Sequence, residues 1–168
     1  DDGWLLMDCG IKGATTANQW QALLDGPLAN RPVCGIIVSH YHADHIGYAG
    51  ALAAHTGAPV YMGAVEHEQA MWGLGQTDDE YAAMMAAAYQ RFGLAESHIN
   101  ETRDTGNYYR FLVGDLPHVT IVTEKDQFIT KAGCWQIRFD AGHSPGHMSL
   151  TDSARKLHIC VDFLLPRI

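Results

Sequence analysis

The sequence predicts an α/β fold in which strands and helices alternate along the chain. Residues 33–38 form a continuous apolar run, which is typical of a strand covered on both faces. Residues 46–55 are rich in alanine and favour a helix, and residues 58–62 resemble another short strand. A strand, a helix and a second strand in this order form a βαβ unit, which indicates a layered α/β architecture.

The first part of the chain predicts one further strand and one further helix. Trp4–Met7 is short and apolar, as expected of a buried strand. A helix with apolar residues at helical spacing follows, and Thr15 or Thr16 is its predicted cap. In the helix over residues 46–55, Gly47 and Gly50 predict close packing against neighbouring backbone.

Residues 66–112 change character and predict a helical insertion between strands. An alanine- and methionine-rich helix is expected to be capped by Thr77 or Asp78, and a second helix is expected over residues 97–111. Its large side chains are candidates for a substrate pocket, although such a stripe more often belongs to a core. These candidates are Trp72, Met84, Met85, Tyr89 and Tyr108.

The last third of the chain returns to strand patterns. Val119–Val122 is a predicted strand, and residues 135–140 alternate between apolar and polar side chains, as in a half-buried strand. Residues 148–151 and 157–161 predict a hairpin. The return of this hairpin is expected to bring Asp162 beside His143.

Length and composition limit the classes of protein that fit. The 168 residues are enough for a core, and without repeats or linkers we expect a single domain over 1–168. A net charge of −8 argues against a nucleic-acid surface, and no run approaches the roughly 18 apolar residues that cross a bilayer. We therefore expect a small-molecule substrate, no nucleic acid and no membrane partner; a homo-oligomer remains open.

The cysteines and the chain start bear on the compartment. The four cysteines show no CxxC spacing and lie in or beside apolar runs, which predicts small buried residues in a reducing compartment. A cytoplasmic location is therefore expected. The chain opens at Asp1-Asp2-Gly3 without an initiator methionine and resembles a turn leading into a strand, so we expect that an earlier start was cut away.

A cluster of metal-binding side chains directly follows the apolar run at residues 33–38. It comprises His40, His42, Asp44 and His45 within six positions. Imidazole and carboxylate are ligands that Zn²⁺ accepts, and residues two apart at a strand end can face the same side. Spacing alone therefore predicts a metal site, with His40 and His42 on one ion and Asp44 and His45 on another.

Two later features complete a pattern. The segment Gly142-His143-Ser144-Pro145-Gly146-His147 holds a second histidine pair, and Asp162 closes the apolar run of residues 157–161. Together with the first cluster, these features resemble the metallo-β-lactamase-fold hydrolase superfamily in motif, order and separation. The opening strand that ends in Asp8-Cys9-Gly10 resembles the family as well. The resemblance implies the N-terminal portion of an αββα sandwich, with the helical insertion at about 66–112 lying over the metal site.

The resemblance also implies which residues bind metal. His40, His42 and His143 are expected to hold the first ion, and Asp44 and His45 the second, with Asp162 bridging both. The expected metal is Zn²⁺, as one or two ions, and iron or manganese remain open. For His147 we expect a supporting contact or a loop-fixing hydrogen bond instead of ligation.

The implied activity is metal-dependent hydrolysis. A zinc-bound hydroxide would attack a small ester, thioester, lactone or phosphoester, with Asp44 as the catalytic residue that orients the nucleophile or transfers its proton. Asp162 in the bridging position resembles the glyoxalase II and lactonase branch and not the true β-lactamases. The alternatives are a mononuclear iron oxygenase of the persulfide dioxygenase kind and a non-catalytic metal-binding fragment.

Two departures from the family pattern lead to further expectations. The family usually has glycine before the bridging aspartate, whereas Val161 stands here, and its bulk is expected to shift that loop. The family also supplies a later histidine for the second ion, and no such residue follows Asp162 up to Ile168. We therefore expect a fragment that lacks the C-terminal part, with a weaker second site.

Overall fold

The computed structural model describes residues 3–164. The strands in this range are β1 Trp4–Met7, β2 Val33–Ile37, β3 Val60–Gly63, β4 Val119–Val122, β5 Gln127–Thr130, β6 Gly133–Asp140, β7 His147–Asp152 and β8 Leu157–Ile159. The helices are α1 Ala14–Asp25, α2 Ala43–Ile46, α3 Ala49–Thr56, α4 Ala64–Gly75, α5 Asp78–Arg91, α6 Glu96–Thr105 and α7 Tyr108–Leu112, and a 3-10 turn covers Val161–Phe163. The predicted turn at Asp1-Asp2 and the last residues, 165–168, lie outside the described part.

The strands form two four-stranded sheets. The first sheet has the order β1-β2-β3-β4 with every pair parallel, because helices connect each strand to the next. The second sheet has the order β5-β6-β7-β8 with every pair antiparallel. In the parallel sheet the carboxyl ends of all strands meet at one edge, where α/β proteins place their sites.

The core divides into two layers of apolar contacts. Helices pack on one face of the first sheet around Ile36, Leu52 and Met62, which are fully buried. The other face meets the second sheet through Ile37 and Met148. The predicted α/β class and layered sandwich are confirmed, and the described residues form the helix, sheet and sheet layers expected of its N-terminal portion.

Close packing of α3 depends on glycine. A side chain at Gly50 would overlap the backbone carbonyl of Asp115, and one at Gly47 would overlap the carbonyl of Leu112. The expectation that these two glycines allow close backbone approach is confirmed. The predicted inner face of β6 is also confirmed, since Ile137 is buried while Arg138 is exposed.

The helical insertion lies between β3 and β4 and comprises α4 to α7, close to its predicted bounds. Thr77 caps α5 in a capping box with Glu80, as one of the two predicted caps. The prediction of one helix over residues 97–111 is wrong, because the chain breaks at Gly106, whose φ is +70°. Asn107 then starts α7 by accepting a hydrogen bond from the Arg110 amide at 2.9 Å.

Three further predictions need correction. Helix α1 begins at Ala14 after Gly13, without a side-chain cap from Thr15 or Thr16. The short strand β5 was not predicted, because its four residues give too brief an alternation. Two of the four free cysteines are exposed instead of buried: Cys134 lies on the outward side of β6, and Cys34 lines an open cleft between the sheets.

Helix length and apolarity decide whether a segment can cross a bilayer. The longest helix in residues 3–164, α5, has 14 residues, and none of the helices in this range combines the length and apolarity that crossing a bilayer requires.

Candidate metal centre

The candidate centre lies where the carboxyl edge of the first sheet meets the second sheet. His40 lies in the loop three residues after the end of β2, whereas His143 lies in the loop before β7 and Asp162 in the turn after β8. The Met148 amide donates a hydrogen bond to the carbonyl of Ser39 at 2.9 Å, which ties the two sheets together beside His40. Residues separated by more than a hundred positions therefore share one site.

Three histidines form what we call the imidazole group: His40, His42 and His143. The Nε2 atom of His40 lies 2.9 Å from Nδ1 of His42 and 3.2 Å from Nε2 of His143. One ligand atom from each ring lies within 4.8 Å of the others. The rings meet nearly edge to face, at interplanar angles of 75°, 81° and 78°.

A second set, the mixed group, consists of His40, His45 and Asp162. The Oδ2 atom of Asp162 lies 3.2 Å from Nε2 of His45 and 3.5 Å from Nε2 of His143, so this carboxylate stands between the two groups. Asp44 Oδ2 lies 3.5 Å from Nε2 of His45, but its side chain is 70% exposed and belongs to neither group. The structure thus brings all six predicted site residues together, with Asp44 at the edge.

Asp8 and Ser39 orient two of these rings, a role that was not predicted from the sequence. Asp8 accepts hydrogen bonds from the amide and hydroxyl of Ser39, both at 2.8 Å, and its Oδ2 lies 2.8 Å from Nδ1 of His45. Ser39 Oγ lies 2.9 Å from Nδ1 of His40. An ionised carboxylate can only accept a hydrogen bond, so His45 carries its proton on Nδ1. The Ser39 hydroxyl gives its single hydrogen to Asp8 and therefore accepts from His40, so His40 is also protonated at Nδ1. Both Nε2 lone pairs then face the centre.

Two rings of the imidazole group, His40 and His42, are held in their neutral form. Burial lowers the pKa of His40 to about 2, and the charge of His45 acts in the same direction. Burial also lowers the pKa of His42, with a further contribution from His143. Neutral imidazole is the form that binds a metal ion.

His45 behaves differently because carboxylates surround it. Burial acts to lower the pKa of His45, but the hydrogen bond with Asp8 and the negative charges of Asp8, Asp44 and Asp162 outweigh it, and the pKa is raised. At the mixed group a proton therefore competes with any cation for this ring.

The distances in the imidazole group fit a bound ion. Zinc–nitrogen bonds of about 2.0–2.1 Å in a tetrahedral site separate neighbouring nitrogens by about 3.3 Å. The observed separations of 2.9 and 3.2 Å around His40 are close to this value. Nitrogen donors with a nearby carboxylate also match the ligands of Zn²⁺, Fe²⁺ and Mn²⁺.

His147 corrects one expectation. It is fully buried, and in the described part of the chain neither of its ring nitrogens has a hydrogen-bond partner. The predicted loop-fixing hydrogen bond is therefore wrong. Its ring packs 4.9 Å from that of His40 and 6.1 Å from that of Phe163, so it supports the centre through packing.

The remaining histidines and the pocket candidates lie elsewhere. In residues 3–164 neither group includes His55, His67, His98, His118 or His158. A cavity of about 410 Å³ in the insertion is lined by Met85, Tyr89 and Tyr108, together with residues of α6. Of the other candidates, Met84 is half-buried and does not line this cavity, whereas Trp72 is 49% exposed, so the core interpretation is wrong for Trp72.

The turn that carries Asp162 has an unusual backbone. Val161 adopts a φ of +45°, a region that β-branched residues rarely occupy. This conformation gives a physical reason for the glycine usual in the family at this position. Asp162 nevertheless reaches His45 and His143, so the expected shift of the loop does not remove it from the centre.

Comparison with known proteins identifies relatives that are longer than this chain. A beta-lactamase domain protein from Burkholderia ambifaria superposes with a TM-score of 0.78 and 28% identity, over 99% of this chain and 47% of that one. A metallo-beta-lactamase family protein from Thermus thermophilus has a TM-score of 0.73 at 16% identity, over 99% of this chain and 52% of that one, and shares the fold. This chain thus spans about half the length of these relatives.

Sequence comparison agrees with the structural one. A metal-dependent hydrolase from Cupriavidus necator is 45% identical over 58 residues, which make up 34% of this chain and 17% of that protein. The profile of the metallo-beta-lactamase superfamily matches residues 1–168. With the sandwich of two sheets and the six converging side chains, this match shows that the chain belongs to the metallo-beta-lactamase superfamily.

Proposed function

We propose that this chain carries the metal centre of a hydrolase that cleaves a small ester, thioester, lactone or phosphoester. The observation that carries the proposal is the convergence of the His40, His42 and His143 nitrogens at separations typical of a tetrahedral ion. The likeness to a metal-dependent hydrolase from Cupriavidus necator supports the reaction class.

The residues divide between two ions. His40, His42 and His143 would hold the first, and His45 with Asp44 the second, while Asp162 lies where a bridging carboxylate is needed. Zinc is the metal we expect, and iron or manganese would accept the same donors. When bound, such ions supply Lewis acidity that activates water and polarises the scissile carbonyl or phosphoryl group.

Asp44 is the proposed catalytic residue. Its carboxylate is largely exposed to the open side of the centre, and Oδ2 lies 3.5 Å from Nε2 of His45. From this position it can accept a proton at Oδ1 or Oδ2 from the attacking water and deliver it to the leaving group. Asp8 keeps the His45 ring fixed during this transfer, because it holds Nδ1 at 2.8 Å.

The position of Asp162 bears on the branch of the superfamily. A carboxylate between His45 and His143 supports the thioesterase, lactonase and phosphodiesterase branch over antibiotic hydrolysis. The narrower substrate remains a proposal, as do the cytoplasmic location and the single domain. A homo-oligomer stays open.

The test combines metal analysis with a substrate panel. We expect purified protein to contain zinc and to hydrolyse at least one ester, thioester, lactone or phosphoester. A single iron with consumption of oxygen would instead support the oxygenase alternative. If protein with metal bound at both groups hydrolyses no compound in the panel, the alternative of a non-catalytic metal-binding protein is supported.

Substitution of Asp44 tests the mechanism itself. We expect Asp44→Ala to lower kcat at least about a hundredfold, in line with the loss of a proton-transferring group. Metal bound by the imidazole group should be retained, because Asp44 lies outside it. Asp104→Ala, which removes an exposed carboxylate in α6, is the matched control and should leave kcat unchanged. An unchanged rate in Asp44→Ala would exclude Asp44 from the mechanism.

A further inference from the structure

Glu66 is a fully buried carboxylate that belongs to neither metal group. It lies in the first turn of α4, with no exposed surface. Its Oε2 accepts a hydrogen bond from the Tyr41 amide at 3.0 Å. Its Oε1 accepts two more, from the Ser144 hydroxyl at 2.8 Å and from the Gly146 amide at 2.6 Å.

The three donors come from the two loops that supply the imidazole group. Tyr41 lies between His40 and His42, and Ser144 directly follows His143. One carboxylate therefore joins two segments that are about a hundred positions apart in the sequence. Oε1 accepts hydrogen bonds from the loop that holds His143, and Oε2 accepts one from the loop that holds His40 and His42. The width of the carboxylate therefore sets the separation of the two loops.

Contacts on either side of Glu66 hold the two loops close to the helices. A side chain at Gly146 would place its Cβ 3.0 Å from Cβ of Val65, which is a tight contact, so glycine lets the loop reach Glu66 without displacing Val65. On the other side, the Tyr109 hydroxyl donates to the carbonyl of Tyr41 at 2.7 Å. The backbone of Tyr41 is thus held at its amide by α4 and at its carbonyl by α7.

A buried carboxylate with full hydrogen bonding is a rigid element. Burying this charge is costly unless donors satisfy it, and three donors do so here. Partners of this kind around metal ligands tune affinity for the ion. Glu66 lies outside both candidate groups in residues 3–164, so its contribution acts through the loops.

We propose that Glu66 is a positioning residue that fixes the spacing between the His40–His42 loop and the His143 loop, and so sets the affinity and geometry of the imidazole group. This inference rests on the proposed metal centre but not on any catalytic step.

The test uses Co²⁺ as a spectroscopic probe of the centre in Glu66→Gln. The glutamine has nearly the same shape, but its amide nitrogen must face either the Tyr41 amide or the donors of the other loop. We expect a roughly 10–100-fold weaker Co²⁺ affinity and a changed visible absorption spectrum. Glu68→Gln, which removes an exposed carboxylate from the same helix, is the matched control and should behave like the unaltered protein.

A second variant covers the case in which Glu66→Gln does not fold. Ser144→Ala removes one of the three hydrogen bonds and leaves the Gly146 amide in place, so a several-fold loss of Co²⁺ affinity is expected. Folded Glu66→Gln with unaltered Co²⁺ affinity and spectrum would overturn the proposal. So would unaltered binding in Ser144→Ala where Glu66→Gln is unfolded.

The two proposals fail on separate measurements. Unaltered protein that binds Co²⁺ but hydrolyses nothing would overturn the proposed function and leave the role of Glu66 intact. Normal Co²⁺ binding in Glu66→Gln would overturn the role of Glu66 and leave the proposed function intact.

Discussion

The imidazole group and the mixed group share His40 but differ in charge. In the first, burial keeps His40 and His42 neutral. In the second, carboxylates surround His45 and raise its pKa. The two neighbouring sites thus differ in charge: one presents the neutral rings of His40 and His42, and the other a ring whose charged form the carboxylates favour.

This difference indicates an order of binding. A cation that enters the imidazole group displaces no proton from His40, whose ring is already neutral. At the mixed group it competes with the proton on His45, and the largely exposed Asp44 contributes a carboxylate screened by water. We therefore expect the imidazole group to bind its ion more tightly, and the following predictions test this contrast.

The largest expected effect is loss of an imidazole ligand. Structural zinc sites bind with about 10–16 kcal/mol, so each of about four ligands contributes roughly 2.5–4 kcal/mol. His143→Ala should therefore weaken the tighter Zn²⁺ equivalent at least about a hundredfold, as measured by calorimetric titration. His158→Ala removes an exposed histidine outside both groups and is the control. If His143→Ala instead weakened binding of the second, more weakly bound Zn²⁺ ion, the assignment of the tighter site to the imidazole group would be wrong.

The next largest effect is expected from Asp8, which contacts a histidine of the mixed group directly. In Asp8→Asn an amide nitrogen can face Nδ1 of His45, which would move the ring proton to Nε2, the atom that faces the mixed group. We expect the weaker Zn²⁺ equivalent to lose roughly 10–100-fold in affinity. The tighter one should change less, because Asp8 reaches His40 only through Ser39.

The control for that experiment is Asp115→Asn at an exposed position. Equal losses at both equivalents would show that the two groups are not electrostatically distinct, and no loss at either would remove Asp8 from the centre.

The smallest effect concerns the backbone beneath Asp162. Val161→Gly and Val161→Ala both remove the two γ-methyl groups and differ only in the Cβ atom, but only glycine adopts a φ of +45° without strain. The glycine variant should be more stable than the alanine variant by about 1 kcal/mol in urea unfolding of the metal-free protein. An alanine variant of equal or greater stability would show that this turn relaxes when Val161 is replaced.

Sequence patterns predicted elements whose signal is local. Trp4–Met7 and Val119–Val122 were predicted with the bounds that the structure shows, because each is a short apolar run between polar residues. The break at Gly106 and the strand Gln127–Thr130 were missed. Gly106 breaks the helix through its φ of +70°, at a point where a side chain would crowd Asp78, and Gln127–Thr130 is a strand because it pairs with β6.

The candidate site shows the same division. His40, His42, Asp44 and His45 form a dense cluster that a reader of the sequence can find. Asp8, Ser39 and Glu66 were given no role, since each acts through a partner at least 25 positions away or through a chain of hydrogen bonds. A signal for Asp8 existed, because it ends the strand parallel to the one before His40.

The sequence by itself predicted the layered α/β class and the cluster of His40, His42, Asp44 and His45, because strand periodicity and ligand spacing are properties of neighbouring residues. The resemblance to the superfamily added His143 and Asp162 to the predicted centre. Only the tertiary structure decided which imidazoles are neutral, where Asp162 stands and what holds the two loops at their spacing. Burial, charge and hydrogen bonding between segments a hundred residues apart set these properties, and they exist only once the two sheets have packed.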